Sequence, residues 1–193
     1  MKKSYFLFAI LLLLCYNYTS AQIFTKVTQG PVVITDSEIT GSTWGDYDND
    51  GDLDLFVTLG APSLNNPNKN NHIYQNNCNG EFTQIIAIPE GVVSDGGVSQ
   101  AGTWIDFDND NDLDLFVANE RGENNFLYRN NGDGTFERVI TGIIVNDDGF
   151  SNGASWADYD NDGFLDLFVA NNGFPITVEN DFLYNNNGDG TFY

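Results

Sequence analysis

The sequence predicts an all-β fold of repeated, four-stranded antiparallel sheets, and three observations carry the prediction. A nine-residue acidic pattern, Asp-x-Asp-x-Asp-(Gly/Asn)-x-x-Asp, occurs three times and each time runs into Leu-Phe-Val. Each copy lies inside a longer repeat whose tryptophans, Trp44, Trp104 and Trp156, are 60 and 52 residues apart. After residue 21 no stretch holds the 3.6-residue apolar period of a helix, whereas short β-branched and aromatic runs alternate with Asn/Gly turns.

The chain has 193 residues, and its first segment reads as an export signal. Lys2 and Lys3 form a basic start, Tyr5 to Leu14 an apolar run, and Thr19-Ser20-Ala21 a small-residue cleavage site before Gln22. The apolar run is too short for a transmembrane helix. Leu14 is bulky where a lipid-modified Cys15 needs a small neighbour, so ordinary cleavage of residues 1–21 is expected, with no membrane insertion afterwards. Residues 22–193 then form the repeat region, with repeats at about 37–88, 97–142 and 149–193.

Within each repeat the first strand carries the tryptophan. The acidic loop follows, and the second strand is the Leu-Asp-Leu-Phe-Val run ending at Val57, Val117 or Val169. Asp54, Asp114 and Asp166 fall inside that strand, so their neighbours (Leu53 and Leu55, and the equivalents) point to the opposite, packing face. The third strand carries Tyr74, Tyr128 or Tyr184, and an Asn-rich turn leads to a fourth strand opening at Phe82, Phe136 or Phe192. In the Asn-Gly-Asp-Gly turns, Gly supplies the positive φ of a tight hairpin. The tryptophans and the loop aromatics Tyr47, Phe107 and Tyr159 are expected to pack between repeats. Four strands in a unit of this length match one blade of a β-propeller.

Cleavage leaves 5 basic against 28 acidic residues, a net charge of −23, and half of the acids, 14, lie in the three loops. A surface of that sign disfavours nucleic acid and anionic membrane. Cys78 is the one cysteine after residue 21, so no intrachain disulfide forms there and metal is the available staple. His72 stands where Phe126 and Phe182 stand in the other copies and reads as a side chain on a sheet face.

The loops name the metal. Two carboxylates about 5 Å apart repel by roughly 3 kcal/mol at an effective dielectric of about 20, so four in one ordered loop call for a cation. An EF-hand needs a bidentate Glu at position 12, which is Val57, Val117 or Val169 here; the closing carboxylate is at position 9 instead. Positions 1, 3, 5 and 9 supply side-chain oxygens: Asp46, Asp48, Asp50 and Asp54; Asp106, Asp108, Asp110 and Asp114; Asp158, Asp160, Asp162 and Asp166. Position 7 (Asp52, Asp112, Phe164) supplies a backbone carbonyl, which explains the tolerance of Phe. Position 6 requires a left-handed residue; Gly51 and Gly163 suit it, and Asn111 makes the second loop the more strained. Such an all-oxygen protein cage favours Ca2+ over Mg2+ at three sites.

These residues carry a resemblance. The Trp-x-Asp-x-Asp-x-Asp-Gly-x-x-Asp-Leu-Phe-Val run, followed by Leu-Tyr-x-Asn-Asn-Gly-Asp-Gly-Thr-Phe, resembles the FG-GAP/VCBS repeat family over roughly residues 23–193. It is similar to the calcium hairpins of integrin α-subunit propellers and closer to secreted ASPIC/UnbV-type repeat proteins. The resemblance implies a calcium-stabilised propeller of about seven blades used in adhesion or recognition of an extracellular protein or glycan, with the aspartates at positions 1, 3, 5 and 9 of each loop as ligands and no catalytic residues. Three repeats do not close a ring of four to eight blades, so the expectation is a partial propeller belonging to a longer protein, with Ile23–Val27 as a ring-closing strand. The variable segments Gly60–Asn70, Glu120–Asn124 and Asn171–Asn180 read as contact loops or as tolerant surface. The alternative function is the propeller portion of a calcium-dependent polysaccharide-degrading enzyme. Against it, the acids outside the loops (Asp36, Glu38, Glu81, Glu90, Asp95, Glu120, Glu123, Glu137, Asp147, Asp148, Glu179) are scattered, and no Ser/His/Asp or Cys/His set exists.

Overall fold

The computed structural model describes residues 24–33, 38–60, 70–86, 91–173 and 180–193. The proposed signal segment, most of the variable stretches at 60–70 and 171–180, and Asp36, Glu90 and Glu179 lie outside them. The described residues form three antiparallel sheets in chain order. The first blade comprises β1 (Ile39–Gly45), β2 (Asp54–Leu59), β3 (His72–Asn76) and β4 (Phe82–Ile85); the second comprises β5 (Ser99–Ile105), β6 (Asp114–Asn119), β7 (Phe126–Asn130) and β8 (Phe136–Val139). The third has β9 (Ser151–Ala157), β10 (Asp166–Asn171) and β11 (Phe182–Tyr184). A fourth strand starts there as well: Asn186 bridges Phe192, and Asn185 and Tyr193 exchange backbone hydrogen bonds at 3.1 Å.

Strand pairing follows the predicted order, each strand bonding to its sequence neighbour. The register is the same in each blade: Trp44 pairs with Leu55, Trp104 with Leu115 and Trp156 with Leu167, while Leu55, Leu115 and Leu167 pair with Tyr74, Tyr128 and Tyr184. The second strand is central, and in the first two blades it is buried along its whole length, which accounts for its near-continuous apolar sequence. The first strands β1, β5 and β9 lie next to one another, so the blades stack face to face around a common side.

Two cores fill the blade junctions. Phe56 of the first blade meets Trp104 of the second edge-on at 6.0 Å, and Phe116 of the second meets Trp156 of the third at 5.9 Å. Tyr47 stacks on Trp104 at 5.8 Å. The backbones approach closely there: a Cβ on Gly102 would sit 2.6 Å from the Phe56 ring, and one on Gly45 would sit 2.6 Å from the Trp104 ring. The aromatics predicted to pack between repeats do so wherever a described blade faces them. At the two outer faces their equivalents are open, with Trp44 and Tyr159 each 53% exposed.

Two expectations are corrected. Leu53 does not pack; it is 57% exposed, just ahead of β2, while its equivalents Leu113 and Leu165 are half-buried. Phe24–Val27 forms no strand, and Phe24 is 91% exposed. The links between blades contribute to the cores. Val92 and Val93, then Ile144 and Val145 of a 3-10 turn (Ile143–Val145), insert into the two junction cores, and Val32 packs on the outer face of the first blade.

Candidate metal centres

Each acidic loop joins the first and second strands of a blade and repeats one set of hydrogen bonds. The position-1 carboxylate accepts backbone N–H groups from positions 5 and 6: Asp46 from Asp50 and Gly51 (both 3.0 Å), Asp106 from Asp110 and Asn111 (both 3.0 Å), Asp158 from Asp162 and Gly163 (3.0 and 3.1 Å). The position-5 carboxylate accepts the N–H of position 7 in all three loops, at 2.9 to 3.0 Å. Position 6 is left-handed as expected, with φ of 95° at Gly51, 72° at Asn111 and 94° at Gly163. Asn111 keeps the same N–H bond as the glycines, so the second loop has the same hydrogen-bonded form despite its side chain.

The position-9 aspartates sit at the start of β2, β6 and β10 and are buried. One oxygen of each accepts the N–H of loop position 2: Asp54 from Tyr47 at 3.3 Å, Asp114 from Phe107 at 3.1 Å, Asp166 from Tyr159 at 3.1 Å. The other accepts from the residue two beyond the third-strand tyrosine, Asn76, Asn130 or Asn186, at 2.8 Å each. Burial pushes Asp54 up to about 6, and the charges of Asp48 and Asp50 add to it against the two N–H bonds. Burial likewise lifts Asp114 to about 7, again with the neighbouring Asp108 and Asp110 charges. Asp108 is raised by burial and by Asp110. An ionised loop without a cation is therefore electrostatically unfavourable.

The donor set fits a hard cation. Carboxylate oxygens of Asp46, Asp48 and Asp50, of Asp106, Asp108 and Asp114, and of Asp158, Asp160 and Asp166 lie within 4.8 Å of one another in each group. The position-3 oxygens Asp48 Oδ1 and Asp108 Oδ1 are buried and have no hydrogen-bond partner. Unpaired buried acceptors of this kind are what a bound cation would satisfy. Asp50, Asp52 and Cys78 form a further cluster in the first blade, where Cys78 takes the place of Gly132 and Gly188; a hydrogen bond with Asp52 holds its thiol up at about 11.

Sequence reasoning missed two sets of asparagines that tie the loops to the blades. Asn49 and Asn109, at loop position 4, reach the next loop: Asn49 donates to Asp112 Oδ1 at 2.6 Å and Asn109 to the Gly163 carbonyl at 3.1 Å. They are held left-handed at φ 58° and 60°. Asn130 and Asn186 donate back to the position-2 carbonyl of the preceding loop, on Tyr47 at 2.7 Å and Phe107 at 2.8 Å. The signal was the identical Asn at both positions in all three repeats.

Two acids read as scattered are also equivalent. Tyr128 donates to Asp95 at 2.6 Å and Tyr184 to Asp147 at 3.0 Å, each acid standing nine residues before the blade tryptophan. His72 lies half-buried on its sheet face, its Nδ1 3.2 Å from the Tyr74 hydroxyl. Between the second and third blades lies a cleft of about 340 Å³ lined by Leu127, Arg129, Glu137, Val139, Ile144, Asp189, Thr191 and Phe192, among others.

With this geometry established, residues 106–169, from the second loop through the end of the third copy's Leu-Phe-Val run, match the FG-GAP-like repeat. The FG-GAP-like repeat is thus carried by residues 106–169. The three blades share one strand register. Among solved structures, a lectin from Agrocybe aegerita, described with the specific recognition of non-reducing terminal N-acetylglucosamine, is similar over 79% of this chain at 21% identity, with a TM-score of 0.49. The match covers 36% of the lectin, so this chain spans little more than a third of that length. A comparison with curated proteins finds no match.

Proposed function

We propose that this chain is a secreted calcium-binding module of extracellular recognition or adhesion, non-catalytic, in which calcium holds the loops on one rim and a neighbouring surface contacts a protein or glycan. The observation that carries the calcium reading is the threefold repetition of one loop geometry with buried, unpaired carboxylate oxygens at Asp48 and Asp108. Asp46, Asp48, Asp50 and Asp54, and their equivalents in the other two loops, would hold the ion, with the position-7 carbonyls of Asp52, Asp112 and Phe164. Bound calcium supplies positive charge that offsets the loop carboxylates.

The cleft between the second and third blades supports the recognition reading. Buried Leu127 and Ile144 lie beside Glu137, Asp189 and Thr191, which are exposed, so apolar contact and hydrogen-bonding groups converge in one concavity. The non-catalytic reading is supported by the engagement of Asp95 and Asp147 with tyrosine hydroxyls in equivalent structural positions. The test is a thermal unfolding scan of residues 22–193 in calcium, in chelator and in magnesium. A midpoint that climbs with calcium and far less with magnesium is expected; no shift, or an equal one, would remove the calcium sites. Immobilised glycans and extracellular matrix proteins, screened with the calcium-loaded chain, test the recognition half.

A further inference from the structure

We infer that Arg129 is a built-in counter-cation of the second Asp loop, and that it makes the middle calcium site weaker than the two beside it. The inference rests on the calcium reading above. In each blade the residue after the third-strand tyrosine reaches across to the position-3 aspartate. Gln75 donates to Asp48 Oδ2 at 2.5 Å, and Asn185 donates to Asp160 Oδ2 at 2.7 Å. In the middle blade the same place is taken by Arg129, whose Nε lies 2.9 Å from Asp108 Oδ2.

The three residues thus fix the same oxygen. The opposite oxygen, Asp108 Oδ1, is left buried and unpaired just as Asp48 Oδ1 is. At this position the loops differ in charge, with a neutral amide in two and a guanidinium in the middle one; the third loop differs further in that Asp160 Oδ1 accepts the Asp162 N–H at 3.2 Å. The guanidinium is held in place, since its central carbon lies 5.5 Å from the centre of the Phe107 ring at position 2 of the same loop. Asn111 does not explain a difference between the loops, because its N–H bonds Asp106 at 3.0 Å as Gly51 bonds Asp46. A fixed unit charge one carboxylate away from a divalent ion in a partly solvated site weakens binding by roughly ten- to a hundredfold. The same charge offsets part of the carboxylate repulsion when calcium is low.

The experiment is a calorimetric titration with calcium chloride of the chain from residue 22 onward, at low and high salt, for the wild type, Arg129→Gln and Gln75→Arg. The wild type is expected to show two tighter sites and one at least tenfold weaker, with the gap narrowing as salt screens the guanidinium. Arg129→Gln brings the weak site up to the others, and Gln75→Arg creates a second weak site in the first loop. Equal sites in the wild type, or a weak site unmoved by Arg129→Gln, would overturn the inference while leaving calcium binding intact. Failure of all three proteins to bind calcium would overturn the calcium reading itself. Gln75→Arg places the charge in a different blade, so the test holds even where Arg129→Gln disturbs folding.

Discussion

Replacing Asn130 by Ala tests what joins one blade to the next. The Asn130 side chain is 1% exposed. Its Nδ2 donates across the junction to the Tyr47 carbonyl at 2.7 Å and within the blade to the Leu113 carbonyl at 3.1 Å, and its Oδ1 accepts the Gly132 N–H at 3.0 Å. Ala keeps the backbone N–H bond to Asp114 and removes all three of the others. At about 1 kcal/mol per bond, with an added penalty for buried groups left unpaired, the loss is about 2–4 kcal/mol. For a chain of this size that lowers the melting midpoint by roughly 5–15 °C. Asn76 provides the matched control. It occupies the same repeat position, but among the described residues no blade precedes it, and its side chain keeps one bond, to the Leu53 carbonyl at 3.2 Å, while its Oδ1 is unpaired. Asn76→Ala is expected to cost under about 1 kcal/mol. The assay is urea unfolding of both variants at saturating calcium, so that metal occupancy does not vary. Equal losses in the two variants, or a loss below about 1 kcal/mol in Asn130→Ala, would refute the junction bond as a source of stability.

Other outcomes follow from the same repeat equivalences. Phe56 is fully buried and Phe168 is 42% exposed at the matching position; Phe56→Ala should cost about 3–5 kcal/mol and Phe168→Ala under about 1, both read by urea unfolding. Burial holds Asp95 up at about 6 against the bonds from Tyr128 and Gly97. Because the folded value lies above the unfolded one, the stability that the neutral acid contributes is full below about pH 4 and is lost as pH rises through 6. Discounted for partial exposure, this amounts to about 1–2 kcal/mol, so the stability of the wild type relative to Asp95→Asn should fall between pH 4 and 7, as followed by melting midpoints across that range. Cys78 is left-handed at φ 63° where the other blades have Gly132 and Gly188 at 70° and 71°; Cys78→Gly should raise the urea midpoint, and a fall would show that the contact with Asp52 outweighs the backbone strain.

The acidic loops and strand order were legible because each is fixed by local chemistry. Aspartate spacing sets which oxygens converge, a left-handed position 6 selects Gly or Asn, and alternation selects the buried face of the second strand. The junctions were less legible because they join residues far apart in the chain, such as Asn130 and Tyr47. The blade links hid for another reason. Gly30, Gly91 and Gly142 all take positive φ just ahead of the inserted β-branched residues, but the stretches between them and the blades differ in length, so the shared start does not align. Asp95 and Asp147 share one spacing to Trp104 and Trp156, but the tyrosines they meet, Tyr128 and Tyr184, lie 33 and 37 residues away in the chain. Leu53 and Trp44 misled because a repeat pattern assigns every copy the same neighbours, whereas the outermost copies here have one described blade beside them rather than two.

The loops and the blade junctions are one connected structure, and that has a measurable consequence. Loop one touches the second blade twice: Asn49 of the loop bonds Asp112, and the Tyr47 carbonyl of the loop receives Asn130. Loop two meets the third blade in the same way through Asn109 and through Phe107 with Asn186. Ordering loop one therefore positions the acceptor that Asn130 needs and leaves the acceptor for Asn186 untouched. Asp46→Asn, which weakens loop one at its position-1 carboxylate, should make the loss from Asn130→Ala smaller, by about 0.5–1 kcal/mol in a double-mutant cycle measured by urea unfolding in calcium. Paired with Asn186→Ala, the same Asp46→Asn change should be additive. Coupling of equal size to both asparagines would mean that the loop acts on the whole arc rather than through its own junction, and coupling to neither would mean that the metal loops and the blade contacts fold independently.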